Sequence, residues 1–458
     1  EQDLPRTLLG SLFVQFRQFV NDDLGCASYL IGDESSGEAV VVDPAYAIEQ
    51  YLEEAERRHV RITRVLETHT HADHVSGHGR FALEHGATIV VRPAAEPGFD
   101  FEPLADGQAI SLGEIVVQVL HTPGHRPEHC CFAVVDGSRA DEPWLVITGD
   151  SLLIGDAARP DLASEAIEGA RGLYGSLQRL LALSDGVEVY PGHVAGSLCG
   201  AGMSSKASST IGFERRFNRA LEQAEEDFVQ DRANSSAPRP PNMDRIVALN
   251  RGPLLAAQTP LGTVDSADGA AVLDVRTARE FVAGHLSGAF NVPVSGSSFA
   301  TKAAFVLTSD EPVAIHASST EDAEKAASGL RSVGLFELRG YLPQAAEDEK
   351  LEPIEIADLD RLLAEGDVEV LDVREKSERD EGYIDGTRHL PYRLVRACVD
   401  DLRGERPVIT ICSSGSRAVI AASVLAANGI EAHPVIGGGV EDWAEQGGKT
   451  VQFRRCGS

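Results

Sequence analysis

Over the first half of the chain, short apolar runs alternate with longer amphipathic stretches. Residues 26–31 and 38–42 are strand-length apolar runs on either side of a Gly-Asp-Glu-Ser-Ser-Gly turn. Residues 48–59 place apolar side chains at helical spacing with acids and bases opposite, which predicts an amphipathic helix. Residues 65–67, 88–91, 115–120, 131–135 and 145–147 read as further strands. Strands outnumber helices, and loops rich in His, Asp and Gly follow several strand ends. The pattern predicts a β-sandwich flanked by helices, with its chemistry on loops.

The second half repeats itself. Residues 234–242 (Asn-Ser-Ser-Ala-Pro-Arg-Pro-Pro-Asn) form the clearest linker by composition. Beyond it, Leu273-Asp-Val-Arg276 with Glu280, Gly284, Gly288 and Pro293 matches Leu371-Asp-Val-Arg374 with Glu378, Gly382, Gly386 and Pro391, at a constant offset of 98. Ala326, Ala327, Ser328, Leu330 and Gly334 match Ala421, Ala422, Ser423, Leu425 and Gly429 at an offset of 95. Two homologous α/β domains of about 100 residues each are therefore expected. The chain divides as 1–235, 243–345 and 352–458. Its 458 residues suit three domains.

Composition then removes whole classes of function. Seventy-one acids against forty-one bases give a net charge of -30, which leaves no basic stripe for nucleic acid or an anionic membrane surface. No apolar run approaches the ~18 residues needed to span a bilayer. Glu1 to Arg6 carries charge and no apolar core, so no secretory signal is expected there. Seven cysteines, an odd and thinly spread set, suit reduced thiols and a cytoplasmic location better than a disulfide framework. The histidines are clustered instead, ten of fourteen falling between His59 and His193.

That cluster has a metal-binding form. After the strand ending near residue 67 comes Thr68-His69-Thr70-His71-Ala72-Asp73-His74. Further on stand His125 in Thr-Pro-Gly-His, Asp150 in Thr-Gly-Asp and His193 in Tyr-Pro-Gly-His. Each follows a predicted strand and sits beside glycine, which lets the backbone turn sharply. Ordinary surface or core histidines would not fall as seven correctly typed residues at four strand ends.

The set resembles the metallo-β-lactamase superfamily, with H-x-H-x-D-H, a later His, a Gly-Asp and a final Gly-His, over about residues 8–230. The resemblance implies an αββα sandwich. It leaves the reaction undecided, because hydrolases, nucleases and oxygenases share these ligands. Flavo-diiron reductases carry Glu at the position of His71, nuclease branches have basic surfaces, and secreted lactamases carry a signal peptide. Glyoxalase II-like thioester hydrolases with two zinc ions and persulfide dioxygenases with one iron remain. Gly149-Asp150-Ser151 followed by Arg159-Pro160-Asp161 resembles the dioxygenase branch, although Ala158 stands where that branch has Gly. After His193, the run reaching Cys199, and then Ser208-Ser-Thr-Ile-Gly-Phe-Glu214, resembles bacterial dioxygenases fused to rhodanese modules.

Under that resemblance His69, His125 and Asp150 hold one Fe(II), leaving open positions for a persulfide sulfur and for O2. His71, Asp73, His74 and His193 then orient ligands through hydrogen bonds, or form the second metal site of a hydrolase. Arg159 and Asp161 are expected at the substrate. Cys199, in a Gly/Ser loop just after His193, is expected to meet substrate sulfur.

In the last domain an apolar strand over residues 407–411 runs into Cys412-Ser413-Ser414-Gly415-Ser416-Arg417 and then an Ala-rich stretch. A cysteine in such a loop faces backbone N–H groups and a positive helix end, which favour thiolate and can hold an anionic persulfide. Arg417 adds a charged fork for an oxyanion. The loop resembles the rhodanese family. At offset 95 the middle domain has Ala317 for Cys412 and Asp322 for Arg417, so it is expected to be catalytically silent. Cys26, Cys130 and Cys131 are expected in the core, and Cys398 and Cys456 carry no functional signal.

The expected whole is an iron-dependent persulfide dioxygenase followed by a silent and an active rhodanese domain. It would take a low-molecular-weight thiol persulfide and O2, with sulfite and thiosulfate as the other sulfur species. A dinuclear zinc thioester hydrolase with a sulfurtransferase tail, and a non-catalytic sulfur carrier or sensor, are the alternatives. The thiol carrier is not legible, and association into homo-oligomers, common at this size, is left open.

Overall fold

The computed structural model describes residues 14–160, 165–194, 204, 206–234, 239, 241–344 and 348–452. The chain forms two compact units, Glu1–Gln258 with Ser332–Gly334, and Thr259–Arg331 with Leu335–Ser458.

The first unit holds two six-stranded sheets. One runs in the order β1 (Val14–Val20), β2 (Ala27–Asp33), β3 (Glu38–Val42), β4 (Arg61–Leu66), β5 (Thr88–Val91), β6 (Glu102–Pro103). The other comprises β7 (Ala109–Leu112), β8 (Ile115–His121), β9 (Cys130–Asp136), β10 (Pro143–Gly149), β13 (Glu188–Pro191) and β14 (Ser209–Thr210), in the order β14-β13-β10-β9-β8-β7; a small hairpin, β11 (Leu152–Leu153) with β12 (Asp156–Ala157), follows β10. Alternate residues make the sandwich. Tyr29, Ile31, Val40 and Val42 pack against Ile110, Leu112, Val117, Phe132, Val134 and Ile147 in one shared core. Their neighbours Leu30, Ala39 and Val41 face Ile48, Tyr51, Ala55 and Phe81, so the helices Glu49–Arg57 and His78–His85 cover the first sheet. Ala133 and Val146 face Leu173, Leu177 and Leu180 of helix Ala166–Leu181, which covers the second. Burying each Val, Leu or Ile contributes about 1.5–3 kcal/mol. A one-residue slip would send the whole inner set to the wrong face, which fixes register and with it the loops at the strand ends. This is the αββα arrangement expected.

The second unit holds two four-stranded parallel sheets. One orders Phe290–Asn291, Ala271–Asp274, Val313–His316, Leu338–Leu342; the other orders Arg388–His389, Glu369–Asp372, Val408–Ile411, Ala432–Pro434. The repeat read from sequence is visible as the same ion pair in both copies, Arg276 Nη2 to Asp274 Oδ2 at 2.7 Å and Arg374 Nη2 to Asp372 Oδ2 at 2.8 Å.

Candidate functional site

The loop after β4 is pinned by Asp43, the residue that follows β3. Its Oδ1 accepts from the Thr68 N–H (2.7 Å) and its Oδ2 from the Thr68 hydroxyl (2.8 Å). That hydroxyl, having given its proton to Asp43, accepts from Nδ1 of His69 at 2.8 Å. Nε2 of His69 is left as the nitrogen with a lone pair. His125 is fixed the same way, its Nδ1–H donating to the Arg159 carbonyl at 2.8 Å. Nε2 of His125 then lies 3.6 Å from Oδ2 of Asp150.

Asp150 is held at two points. Its N–H donates to Nε2 of His129 (3.0 Å), and its Oδ1 lies 2.7 Å from Nδ1 of His193. The turn that presents it needs glycine: Gly149 has φ of 47°, and a Cβ there would meet His129 Nε2 at 2.7 Å and Thr68 Oγ1 at 2.8 Å. Ligand atoms of His69, His125 and Asp150 all lie within 4.8 Å of one another. Burial, then the neighbouring His71, His125 and His129, hold the pKa of His69 well below its ordinary value, so the ring is neutral and able to ligate. Burial pushes the Asp150 carboxyl up, but His193 and His125 outweigh it and keep it below the carboxylate range. Two imidazoles and one carboxylate, each tied by its far side, fit a single divalent transition-metal ion.

The other motif residues border this triad without joining it. Nε2 of His71 lies 3.2 Å from Asp43 Oδ1 and 3.3 Å from Glu67 Oε2 as ion-pair contacts, while both buried ring nitrogens lack a partner of hydrogen-bond geometry. Burial lowers this ring's pKa, yet the two carboxylates raise it well above the ordinary value. Asp73, His74 and His193 form a second group: His193 Nε2 to Asp73 Oδ2 is 2.7 Å, and His74 Nδ1 to Asp73 Oδ1 is 3.3 Å. Arg159 is half-buried and reaches the site through its carbonyl. Asp161 and Cys199 lie outside the described residues.

Three residues at this centre were not anticipated. Cys26, expected in the apolar core, is buried, but its Sγ lies 3.3 Å from Asp73 Oδ2, 3.5 Å from His74 Nδ1 and 3.4 Å from His193 Nε2. It stands just ahead of β2 and bridges to His193, which turns the thiol toward the polar group. His129 donates from Nδ1 to the Thr122 carbonyl (3.1 Å), and its burial keeps it neutral with a pKa of about 3. Asn250 lies on helix Met243–Arg251, beyond the linker. Its amide donates to the carbonyls of His71 (3.0 Å) and His74 (2.8 Å) and accepts from the Ser76 N–H (2.8 Å). Cys130 and Cys131 are core residues as expected, burial pushing the Cys131 thiol up to about 12.

In the last domain Cys412 ends the fully buried strand Val408–Ile411. The Gly415 N–H donates to its Sγ at 3.1 Å. Gly415 has φ of 90°, and helix Ser416–Ala427 starts immediately after it. Ser413 is half-buried and Ser414 exposed. Arg417 is engaged by a carboxylate. Its fork is closed on Glu378, Nη1 to Oε2 and Nη2 to Oε1 both at 2.6 Å, and Nη2 also reaches Ser413 Oγ at 2.8 Å. In the middle domain Ala317 is buried and Asp322 is engaged by Ser319 at 2.7 Å, and the loop 317–322 has neither thiol nor arginine.

The metallo-beta-lactamase superfamily model matches residues 21–193, and the rhodanese-like domain model matches 261–342 and 355–446. The mitochondrial persulfide dioxygenase of Homo sapiens is 30% identical over 232 residues, which is 49% of this chain and 82% of that protein. Its Bos taurus counterpart is 29% identical over 240 residues, 52% and 87% of the two chains. The crystal structure of a metallo-beta-lactamase from Staphylococcus aureus aligns with a TM-score of 0.67 at 30% identity, covering 72% of this chain and 99% of that one. The chain therefore belongs to the metallo-β-lactamase superfamily, as a fusion of a domain homologous to persulfide dioxygenases with two rhodanese-like domains.

Proposed function

We propose that this chain is a persulfide dioxygenase and sulfurtransferase in one polypeptide, with functional modules at 1–235, 243–345 and 352–458. The observation that carries the reading is the convergence of His69, His125 and Asp150 while His71 is engaged by Asp43 and Glu67. Those three residues would hold Fe(II), which when bound supplies the one-electron chemistry that O2 requires and zinc lacks. The overall reaction is RSSH + O2 + H2O → RSH + H2SO3, in which the terminal sulfur is oxidised and O2 reduced.

The chain's own part is orientation. Thr68 and the Arg159 carbonyl select the ring tautomers, and His129 and His193 fix the backbone and one carboxylate oxygen of Asp150. Asp73, His74 and Cys26 support His193 in turn. At the second site, Cys412 thiolate attacks the terminal sulfur of a persulfide. The S–S bond breaks and its electron pair leaves with the carrier: RSSH + Cys412–S⁻ → Cys412–SSH + RS⁻. After loss of its proton, Cys412–SS⁻ passes the outer sulfur to sulfite, giving thiosulfate and restoring the thiolate. One site's product is the other's acceptor, and the shared chain raises its effective concentration.

The free thiols favour a reducing compartment, which we take to be the cytoplasm. Among the described residues no helix is long and apolar enough to cross a membrane. One observation favours a second reading: Asp73, His74 and Cys26 also group as potential ligands, as the second site of a dinuclear hydrolase requires. Metal content measured alongside O2 uptake separates the two.

A further inference from the structure

We propose that Glu378 is a specificity-determining residue of the sulfur-transfer site, one that biases Cys412 toward persulfide donors and against dianionic thiosulfate and sulfite. The inference rests on reading Cys412 as the sulfur-accepting nucleophile.

The oxyanion fork of the loop is already filled. Both terminal nitrogens of Arg417 are spent on the two oxygens of Glu378 at 2.6 Å, with Ser413 Oγ drawn to the same guanidinium at 2.8 Å. An entering dianion must compete with a bidentate carboxylate, among the strongest partners an arginine takes. Three other arginines of this domain are paired as well. Arg374 and Arg379 both bond Asp372, at 2.8 and 2.9 Å, and Arg393 bonds Glu375 at 3.1 Å. The guanidinium of the sulfur loop is thus matched by a carboxylate, and a persulfide, whose leaving thiolate needs no oxyanion fork, loses least by this.

The silent copy shows what Glu378 adds. Its counterpart Glu280 accepts from the Thr277 N–H at 3.0 Å, as Glu378 accepts from the Glu375 N–H at 3.0 Å. That shared role caps a helix. Only in the active copy does the same carboxylate also clamp an arginine of the sulfur loop.

The bias acts in both directions. With thiosulfate the step is Cys412–S⁻ + S2O3²⁻ → Cys412–SS⁻ + SO3²⁻, the S–S electron pair leaving on sulfite. A site that binds either dianion weakly releases newly formed thiosulfate instead of taking it back as a donor. Sulfite delivered within one polypeptide tolerates that weak site.

The test uses the full chain with cyanide as acceptor and either thiosulfate or cysteine persulfide as donor. Glu378→Gln is expected to raise the ratio of thiosulfate to persulfide kcat/KM about tenfold, on the order of one strong electrostatic contact, chiefly through a lower thiosulfate KM. Glu378→Asp, which keeps the charge, should keep the wild-type discrimination. Equal losses with both donors, or an unchanged thiosulfate KM in Glu378→Gln, would overturn the proposal. A measurement free of folding defects is the wild-type salt dependence. A charge-matched site predicts a thiosulfate KM nearly flat with ionic strength, and a steep rise would refute it. Wild-type chain that transfers sulfur from neither donor would instead refute the reading of Cys412, and the inference with it.

Discussion

Nδ1 of His193 lies 2.7 Å from Oδ1 of Asp150, leaving Oδ2 as the oxygen nearer His125. The last histidine of the motif thus grips the proposed metal-binding carboxylate from behind. Replacing such a supporting group typically costs about 10–100-fold in metal affinity. His193→Ala should lose iron in that range on dialysis against a chelator while cyanide-linked sulfur transfer by Cys412 is unaffected. Unchanged iron retention would remove His193 from this role.

The two chemistries should separate by mutation. Cys412→Ser is expected to consume O2 normally with a thiol persulfide and accumulate sulfite without thiosulfate. His69→Ala is expected to abolish O2 uptake and retain sulfur transfer. Thiosulfate formed by Cys412→Ser at the full rate would break the proposed coupling.

Asn250 tests whether the metal loop depends on a helix beyond the linker. Its buried amide makes three hydrogen bonds to the segment His71–Ser76. Leaving those groups unpaired in Asn250→Ala should cost about 2–4 kcal/mol by urea unfolding of the first unit. A chain ending before residue 243 should bind iron poorly for the same reason. Full iron loading of that shortened chain would contradict it.

His129 gives a pH dependence of definite sign. In the unfolded chain a histidine takes its proton near pH 6.5, but in the fold this one does so only near about 3. Between those values the unfolded state binds the extra proton, so stability falls as pH falls from about 6.5 toward 3. Urea midpoints between pH 7.5 and 5 should show this slope in metal-free protein. His129→Gln should flatten it by about one proton.

What sequence could and could not supply follows from contact distance along the chain. The candidate ligands His69, His125 and Asp150 were legible because each follows a strand in a local motif, His69 in H-x-H-x-D-H and the other two directly after glycine. The internal repeat showed in the same way that the middle copy lacks the sulfur loop's residues, since Ala317 and Asp322 stand where Cys412 and Arg417 are. Cys26, Asn250 and Glu378 were not legible. Each acts through a partner set only by tertiary packing: Cys26 on His193, Asn250 on His71, and Glu378 on Arg417. His129 belonged to the visible histidine cluster, but its bond to the Asp150 backbone depends on β9 and β10 pairing. Strand text alone made Cys26 look apolar. Its bridge to His193 is what turns it to the polar side.

His69, His125 and Asp150 would together hold one redox metal that supplies the chemistry for persulfide oxidation. The most direct measurement is metal content of the purified full chain together with O2 uptake on several thiol persulfides. The account predicts about one iron per chain, with O2 consumed and sulfite or thiosulfate formed in proportion. About two zinc ions per chain, with thioester hydrolysis and no O2 uptake on any persulfide, would contradict it.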